Sequence, residues 1–217
     1  MAAEPLTSLD RSTLRERSLA ALRTAITSGR YAPGDHLGEV ELSTHLGVSR
    51  GTVREALRHL QQEGLVTAGN RGMLRVNRLS ATEVRELFRV RAALEGLAVS
   101  EIIASPGREE AVATLRAALA DLGTGDFAQR VEADLGFHLL LCRLSGNSML
   151  VEAWRALEGR IRVAIMNGDA EGSPIMMAGD RHAPIVEAIA RGELDAARSV
   201  VTEHMAAAAE HFAPADA

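Results

Sequence analysis

Residues 46–57 of the chain read LGVSRGTVREAL, the pattern of a tight turn followed by an amphipathic helix. Gly47 is a favourable residue to end a short helix, which the sequence predicts over Glu39–Leu46. Ser49 is a favourable N-cap for a second helix, which is predicted to run to Gln62. The apolar residues of this second helix recur at the spacing of a single face: Val53, Ala56, Leu57 and Leu60. The stretch therefore predicts two helices joined by a turn.

Further elements flank this pair of helices on both sides. The sequence predicts a helix over Leu14–Ser28 before the pair and two short strands, Leu65–Thr67 and Met73–Val76, after it. The turn residues Gly69–Gly72 separate the strands, as in a β-hairpin. A helix-turn-helix followed by a hairpin is the order of a winged helix-turn-helix, a DNA-binding fold whose second motif helix enters the major groove.

The polar face of the second motif helix carries the groups that DNA binding requires. Arg54 and Arg58 lie opposite the apolar face, and Arg50 lies at the N-terminal edge of the helix. Arginines bind guanine edges and phosphates, and the free N–H groups of a helix N-terminus bind phosphate. Each arginine taken alone is equally typical of a solvated helix face, so the DNA-binding prediction depends on the order of the elements around it.

The distribution of charge places nucleic-acid binding in the front part of the chain. The 217 residues carry a formal net charge of −5. Residues 1–79 contain 11 Arg against 8 Asp and Glu, a net of +3, whereas residues 80–217 contain 13 Arg against 21 Asp and Glu, a net of −8. A basic front half on an acidic chain indicates that only one end meets nucleic acid.

The composition favours a helical protein of the cytoplasm. Hydrophobic residues make up 47% and aromatic residues only 3%, which supports a core built by helix packing and excludes disorder for most of the chain. The single Cys142 excludes an internal disulfide and fits a reducing compartment. No apolar run approaches the roughly 20 residues that cross a bilayer, and the polar, acidic segment Met1–Asp10 differs from a signal peptide. We therefore expect a cytoplasmic location and no membrane partner.

The remainder of the chain is predicted to be helical. The helices are expected over Ala81–Ala104, Glu109–Leu122, Asp126–Leu144, Ser148–Met166, Ile175–Ala190 and Leu194–Phe212. The predicted fold is mainly α, with a winged helix-turn-helix over residues 11–77, a linker over 78–80 and an antiparallel all-α bundle over 81–212. Residues 1–10 are expected to be disordered and residues 213–217 to form a frayed tail.

Four residues of the helical part have the spacing of a metal site. Asp134 and His138 are four residues apart and share a helix face. His182 lies ten residues before Gly192 and His204 twelve after it, so an antiparallel hairpin about this glycine places the two histidines at similar heights. One carboxylate and three imidazoles are a suitable ligand set for a divalent transition metal. Each histidine alone is equally typical of a partly buried core residue, so the prediction depends on the whole set.

The charge of such a site favours an acidic ligand. A dication bound by one carboxylate and three neutral imidazoles leaves a local charge of about +1, and a five- or six-coordinate metal has further positions for ligands. A carboxylate would complete the coordination, and an arginine could bind its other end. The candidates for that arginine are Arg91, Arg89 and Arg162, each of which is equally typical of a solvated or ion-paired helix face.

Six short motifs of the front part closely resemble the DNA-binding domain of GntR-family bacterial transcription regulators. The motifs are Pro33–Leu37 (PGDHL), Glu41–Leu42 (EL), Leu46–Arg50 (LGVSR), Val53–Leu57 (VREAL), Glu63–Val66 (EGLV) and Asn70–Gly72 (NRG). This resemblance implies that Arg50 and Arg54 are the principal DNA-contacting arginines, with Thr52 beside them. It also implies that the hairpin tip reaches the minor groove through Asn70, Arg71 and Gly72.

Motifs of the helical part resemble the FCD ligand-sensing domain of the FadR subfamily of these regulators. They are Arg91–Glu95 (RAALE), Asp134–His138 (DLGFH), Ser145–Asn147 (SGN), Asp180–His182 (DRH), Gly192–Glu193 (GE) and His204. Six predicted helices rather than seven are similar to the VanR-type variant of this domain. The resemblance implies a small carboxylate or sugar-acid ligand beside a metal, and the retained histidines argue against acyl-CoA. The implied metal is zinc, with nickel or manganese as alternatives, and its ligands are Asp134, His138, His182 and His204.

These features leave two classes of function. The first is a homodimeric, effector-responsive transcription regulator, not an enzyme, that binds an inverted-repeat operator, because one winged helix has a small footprint that two-fold symmetry doubles. The alternative is a metal-dependent hydrolase on a helical bundle fused to a DNA-binding domain. A hydrolase needs a general base, and Glu132, two residues before Asp134, is expected to point away from the metal. A constitutive architectural DNA-binding protein would leave the helical part unexplained.

Overall fold

The computed structural model of the chain describes residues 13–69, 72–168 and 175–214. The segment 1–10, expected to be disordered, lies outside these ranges, as do residues 215–217 of the expected tail. The described residues are mainly helical and include a two-stranded antiparallel sheet, which confirms the predicted fold class. No helix among them is long and apolar enough to cross a membrane.

The front module is the predicted winged helix-turn-helix. Its elements are α1 (Leu14–Thr27), α2 (Glu39–Leu46), α3 (Arg50–Gln62), β1 (Val66–Ala68) and β2 (Leu74–Val76). Gly47 ends α2 with a left-handed backbone (φ +64°), which turns the chain into α3. The hydroxyl of Ser49 caps α3 by accepting a hydrogen bond from the Thr52 N–H. The apolar face predicted for α3 is completely buried, and α3 packs against α1.

The second module is the predicted helical bundle. Its helices are α4 (Ala81–Ala104), α5 (Arg108–Ala118), α6 (Phe127–Leu144), α7 (Ser148–Gly168), α8 (Gly179–Arg191) and α9 (Leu194–Phe212). Helix α4 is central and packs against each of the other five.

Two of the predicted helices of the bundle differ in their bounds by more than two residues. Helix α8 begins four residues later than predicted, because Ala178 has an extended backbone and Met177 is buried in the turn before the helix. Helix α5 ends at Ala118, and the residues predicted as its last turn form a short 3-10 turn over Leu119–Asp121. The apolar spacing of these segments is helical, and only the backbone ends differ.

Helix α7 brings the two modules into direct contact. Its Gly159 is buried against the C-terminal end of α3, so closely that a Cβ atom at this position would overlap the carbonyl oxygen of Glu63. The residue just before the linker is anchored as well, because the side-chain amide of Asn77 donates to the Gly64 carbonyl oxygen over 2.9 Å. Helix α7 therefore lies in direct contact with the C-terminal end of the helix predicted to enter DNA.

Candidate functional site

The structure brings the four predicted metal ligands together inside the bundle. Asp134 and His138 come from α6, His182 from α8 and His204 from α9, and all four side chains are buried. The Nε2 atom of His182 lies 3.1 Å from both the Nε2 atom of His138 and an Oδ atom of Asp134. The three histidines each offer a ring nitrogen within 4.8 Å of the others. The three histidines thus form the compact set, and the Asp134 carboxylate adjoins it through His138 and His182.

Local geometry explains why these residues meet. A spacing of four residues places Asp134 and His138 on one side of α6, with 3.9 Å between Asp134 Oδ1 and His138 Nε2. Gly192 adopts a left-handed backbone (φ +72°) between α8 and α9, which reverses the chain. The rings of His182 and His204 then lie with their centres 4.6 Å apart.

The electrostatics of the cluster favour free electron pairs on its donor atoms. Burial lowers the pKa of His138 well below its usual value and lowers the pKa of His204 to about 2, with the positive charge of Arg91 acting in the same direction. Burial alone would raise the pKa of Asp134, but the close contact with His182 and the positive charge of Arg91 hold it well below its usual range. At neutral pH His138 and His204 therefore offer neutral imidazoles and Asp134 offers an ionised carboxylate, the forms that bind a metal.

Two of the imidazole rings are oriented by hydrogen-bond acceptors on their sides away from the cluster. The Nδ1 atom of His182 lies 2.9 Å from the carbonyl oxygen of Ala178, to which it can only donate. The Nδ1 atom of His138 lies 2.5 Å from a carboxylate oxygen of Glu95, which is fully buried on α4. Proton donation from both Nδ1 atoms leaves each Nε2 atom unprotonated and directed at the cluster.

Two buried polar atoms at the cluster lack hydrogen-bond partners within the described ranges. They are the Nδ1 atom of His204 and the Nη2 atom of Arg91, whose guanidinium lies 3.8 Å from an Asp134 oxygen. Buried nitrogen atoms that make no hydrogen bond carry a substantial energetic cost. A metal would satisfy the imidazole nitrogen, and an anion beside that metal would satisfy the arginine.

The three arginines considered as anion ligands occupy different environments. Arg91 is buried at the cluster, whereas Arg89 is exposed on the outer side of α4. Arg162 is ion-paired with Glu132 and Glu158 at the cleft between the modules. Glu132 is thus directed away from the cluster, as expected from its position two residues before Asp134.

The predicted DNA-binding residues lie on the outer side of α3 and on the wing. Arg50, Arg54 and Arg58 are exposed. The guanidinium of Arg54 makes two hydrogen bonds to Glu39 on α2, of 2.8 and 2.7 Å, and this bonding lowers the pKa of Glu39. Arg58 pairs with its helix neighbour Glu55 over 2.6 Å.

The rest of that predicted surface is described only in part. Thr52 is half-buried and shares a 2.9 Å hydrogen bond with the Ser49 hydroxyl. Gly72, at the wing tip, is exposed and has a left-handed backbone (φ +73°). Asn70 and Arg71 lie outside the described residues.

Sequence reasoning missed the three side chains that hold these predicted site residues. Glu39 binds Arg54 from a different helix, and Glu95 contacts His138 from a position 43 residues away. Trp154, which is buried on α7, supports Glu95 in turn by donating its indole N–H over 3.1 Å. The only local signal for any of them is the spacing of four residues between Arg91 and Glu95, which is typical of a helical ion pair.

Comparison with known proteins agrees with the two modules. Residues 86–207 match the model of the FCD domain, and residues 11–76 match that of the bacterial regulatory proteins of the gntR family. The HTH-type transcriptional regulator YdhC of Bacillus subtilis is 30% identical over 200 residues, which cover 88% of this chain and 87% of YdhC. The HTH-type transcriptional repressor RspR of Escherichia coli K12 is 30% identical over 192 residues, covering 85% and 82%.

Solved structures show the same architecture. A GntR transcriptional regulator from Rhodococcus sp. RHA1 superimposes with a TM-score of 0.70 at 27% identity, covering 94% of this chain and 99% of that one. McbR/YncC of E. coli superimposes with a TM-score of 0.69 at 22% identity, covering 89% and 93%, which supports the fold alone.

Proposed function

Since this chain belongs to the GntR family of bacterial transcription regulators and carries an FCD domain, we propose that a small carboxylate, bound beside a metal in that domain, controls its binding to an operator. The chain is a DNA-binding transcription regulator and not an enzyme, so the hydrolase alternative is set aside. The proposal divides the chain into a DNA-binding domain over residues 11–77, a linker over 78–80 and a sensing domain over 81–212. It also places the protein in the cytoplasm, where operator DNA lies.

The observation that supports the proposal is the convergence of three imidazoles and a neighbouring carboxylate with two buried nitrogens that make no hydrogen bond among the described residues. Asp134, His138, His182 and His204 would hold a divalent transition metal, with zinc first and nickel or manganese as alternatives. Such a metal supplies a positive centre that accepts an oxygen ligand. Asp134 is the only carboxylate of the set, and it also forms an ion pair with Arg91.

Arg91 would bind the effector carboxylate. Its Nε atom is committed to Glu95 over 2.8 Å, and its Nη2 atom is left to the cluster. A guanidinium so fixed binds a carboxylate with little loss of conformational freedom. Arg89 and Arg162, the other two candidates from the sequence, have no comparable position, because one is exposed and the other is paired with two glutamates.

The proposed function is tested by screening small organic acids against metal-loaded and metal-stripped protein. Ligand binding raises the melting temperature by mass action. We expect at least one acid to stabilise only the metal-loaded form and to change its affinity for operator DNA selected from random sequence. If every acid that alters operator binding does so equally without metal, the proposed sensing site is wrong.

DNA recognition is proposed to use Arg50, Thr52, Arg54 and Arg58 on α3, together with Asn70, Arg71 and Gly72 at the wing tip. In the free protein Glu39 holds Arg54 extended along the surface between α2 and α3. An arginine pre-ordered by a carboxylate loses less freedom when it binds a base edge.

Arg54→Ala should weaken operator binding by about ten- to a hundredfold, the effect of losing one bidentate contact to a base. Arg116→Ala is the matched control, because it breaks an exposed ion pair with Glu187 on the sensing domain, far from the proposed DNA surface. Fluorescence anisotropy on labelled operator measures both variants, with circular dichroism to confirm their helicity. Equal affinities for the two variants would remove Arg54 from the DNA interface.

The regulator is proposed to be a homodimer that binds an inverted repeat. Helix α4 exposes three apolar residues on one face: Val90, Ala93 and Leu97. Apolar residues aligned along an exposed helix face are typical of a protein interface. We expect a second copy of the chain to cover this face, because a single winged helix has a small footprint on DNA and a dimer doubles it.

Leu97→Glu should convert the dimer into monomers at micromolar concentration, because a charge would be buried in the interface. Light scattering gives the mass, and operator binding should weaken in parallel. Met149→Glu is the control, since it places the same charge on another exposed apolar position, on α7. A Leu97→Glu protein that stays dimeric would contradict the assignment of this face.

A further inference from the structure

Glu95 is a buried carboxylate whose two oxygens are fully used. One oxygen lies 2.5 Å from the Nδ1 atom of His138. The other accepts hydrogen bonds from the Nε atom of Arg91 over 2.8 Å and from the indole N–H of Trp154 over 3.1 Å. Glu95 is 0% exposed, so its hydrogen bonds are made in a medium where they are strong and where their loss is costly.

We propose that Glu95 is the positioning residue that fixes the ring of His138 for metal binding, an inference that rests on the metal site proposed above. A carboxylate flanked by donors can only accept, so His138 must carry its proton on Nδ1. The Nε2 atom of His138 then presents a lone pair toward Asp134 and His182. In the opposite tautomer the proton is on Nε2, so an N–H group would point into the cluster. The unprotonated Nδ1 atom would then face the Glu95 carboxylate, and neither atom could donate a hydrogen bond to the other.

The other two hydrogen-bond partners of Glu95 leave one of its oxygens free to bind His138. Arg91 and Trp154 both donate to the same oxygen, which leaves the second oxygen for His138 alone. Arg91 also compensates the charge of Glu95 in a place from which water is excluded. The same arginine directs its unpartnered Nη2 atom toward the cluster, so Glu95 links the proposed effector ligand to the ring of a metal ligand.

Glu95→Gln is the substitution that tests the inference. Glutamine keeps the shape, but its single oxygen is claimed by Arg91 and Trp154, and its NH2 group cannot accept from His138. We expect zinc affinity, measured by competition with a chromophoric chelator, to fall by about 10–100-fold, as is usual when an outer partner of a ligating histidine is lost. Glu101→Gln is the matched control, because Glu101 lies on the same helix but bonds to Asn147.

A second measurement separates positioning from a general loss of stability. In the metal-free protein, ¹⁵N NMR of the histidine rings should show Nδ1 of His138 protonated in wild type and in Glu101→Gln, and a changed tautomer population in Glu95→Gln. A merely structural role would lower stability without changing the tautomer. If Glu95→Gln does not fold, Trp154→Phe takes its place, since it removes one donor to Glu95 and keeps the aromatic bulk. It should weaken zinc binding several-fold.

The outcomes distinguish this inference from the site on which it rests. A wild-type protein that binds no zinc overturns the metal site itself. A wild-type protein that binds zinc, with unchanged affinity and an unchanged His138 tautomer in Glu95→Gln, overturns only the role of Glu95. Unchanged zinc affinity in Trp154→Phe, where that variant is the one that folds, overturns it as well.

Discussion

His182→Ala and His204→Ala should each leave the purified regulator without bound metal and without a response to a carboxylate effector. Each variant deletes one of four proposed donors, and the remaining three come from only two helices. Loss of a direct ligand should lower metal affinity more than loss of an outer hydrogen-bond partner does, which is about 10–100-fold. At free metal a hundredfold above the dissociation constant, the wild type gains about 2.7 kcal/mol of stability from binding, which the variants would lack.

The measurement for this first prediction is metal analysis of the purified proteins, followed by thermal unfolding and effector titration on labelled operator. His211→Ala is the matched control, because His211 is an exposed histidine on the same helix as His204. Operator binding without effector should survive in all three variants, since the DNA-binding elements are a separate module. Full metal content and a normal effector response in His182→Ala would make these histidines ordinary core residues.

Gly159→Ala should disrupt the contact between α7 and α3, through which we propose that the sensing module acts on the DNA-binding module. The added methyl group would overlap the carbonyl oxygen of Glu63 and lie 2.8 Å from its carbonyl carbon, and backbone atoms cannot turn aside as a flexible side chain does. Helix α7 must therefore move away from the end of α3, at a cost of about 1–3 kcal/mol for overpacking. We expect the variant to bind effector but to show a weakened effect of that effector on operator affinity.

Gly136→Ala is the control for this second prediction. Gly136 lies on α6, is exposed, and has no atom within 4 Å of the position that a Cβ would take. The same methyl group should stabilise the protein there by up to about 1 kcal/mol through helix propensity. Thermal unfolding of both variants gives the comparison. If Gly159→Ala is stabilised as Gly136→Ala is, and its effector response is normal, then the α7–α3 contact plays no part in the switch.

Features set by local sequence were predictable. Ser49 and Ser80 each begin a helix by capping it, and Gly47 and Gly192 end one, so α3, α4 and the α8–α9 reversal follow from residues next to each other in the chain. The start of α8 was wrong because Ala178 offers no side-chain cap, whereas the apolar residues before it keep a helical spacing. The proximity of Asp134, His138, His182 and His204 was predictable because they are related by one helix turn and by one hairpin.

Features set by packing were not predictable. The contact of Glu95 with His138 exists because α4 packs against α6, and nothing near either residue in the sequence indicates it. The pairing of Arg54 with Glu39 likewise depends on how α2 meets α3. Sequence alone could not rank the three arginines considered for the effector, because burial and existing ion pairs distinguish them.

We propose that one metal ion is held between α6, α8 and α9, with a carboxylate effector bound beside it. X-ray diffraction from crystals of the metal-loaded protein, measured on both sides of the absorption edge of the metal, tests this most directly. The account predicts one anomalous peak per chain, about 2.0–2.2 Å from a ligand atom of each of Asp134, His138, His182 and His204. An anomalous map with no peak inside this cluster would contradict it.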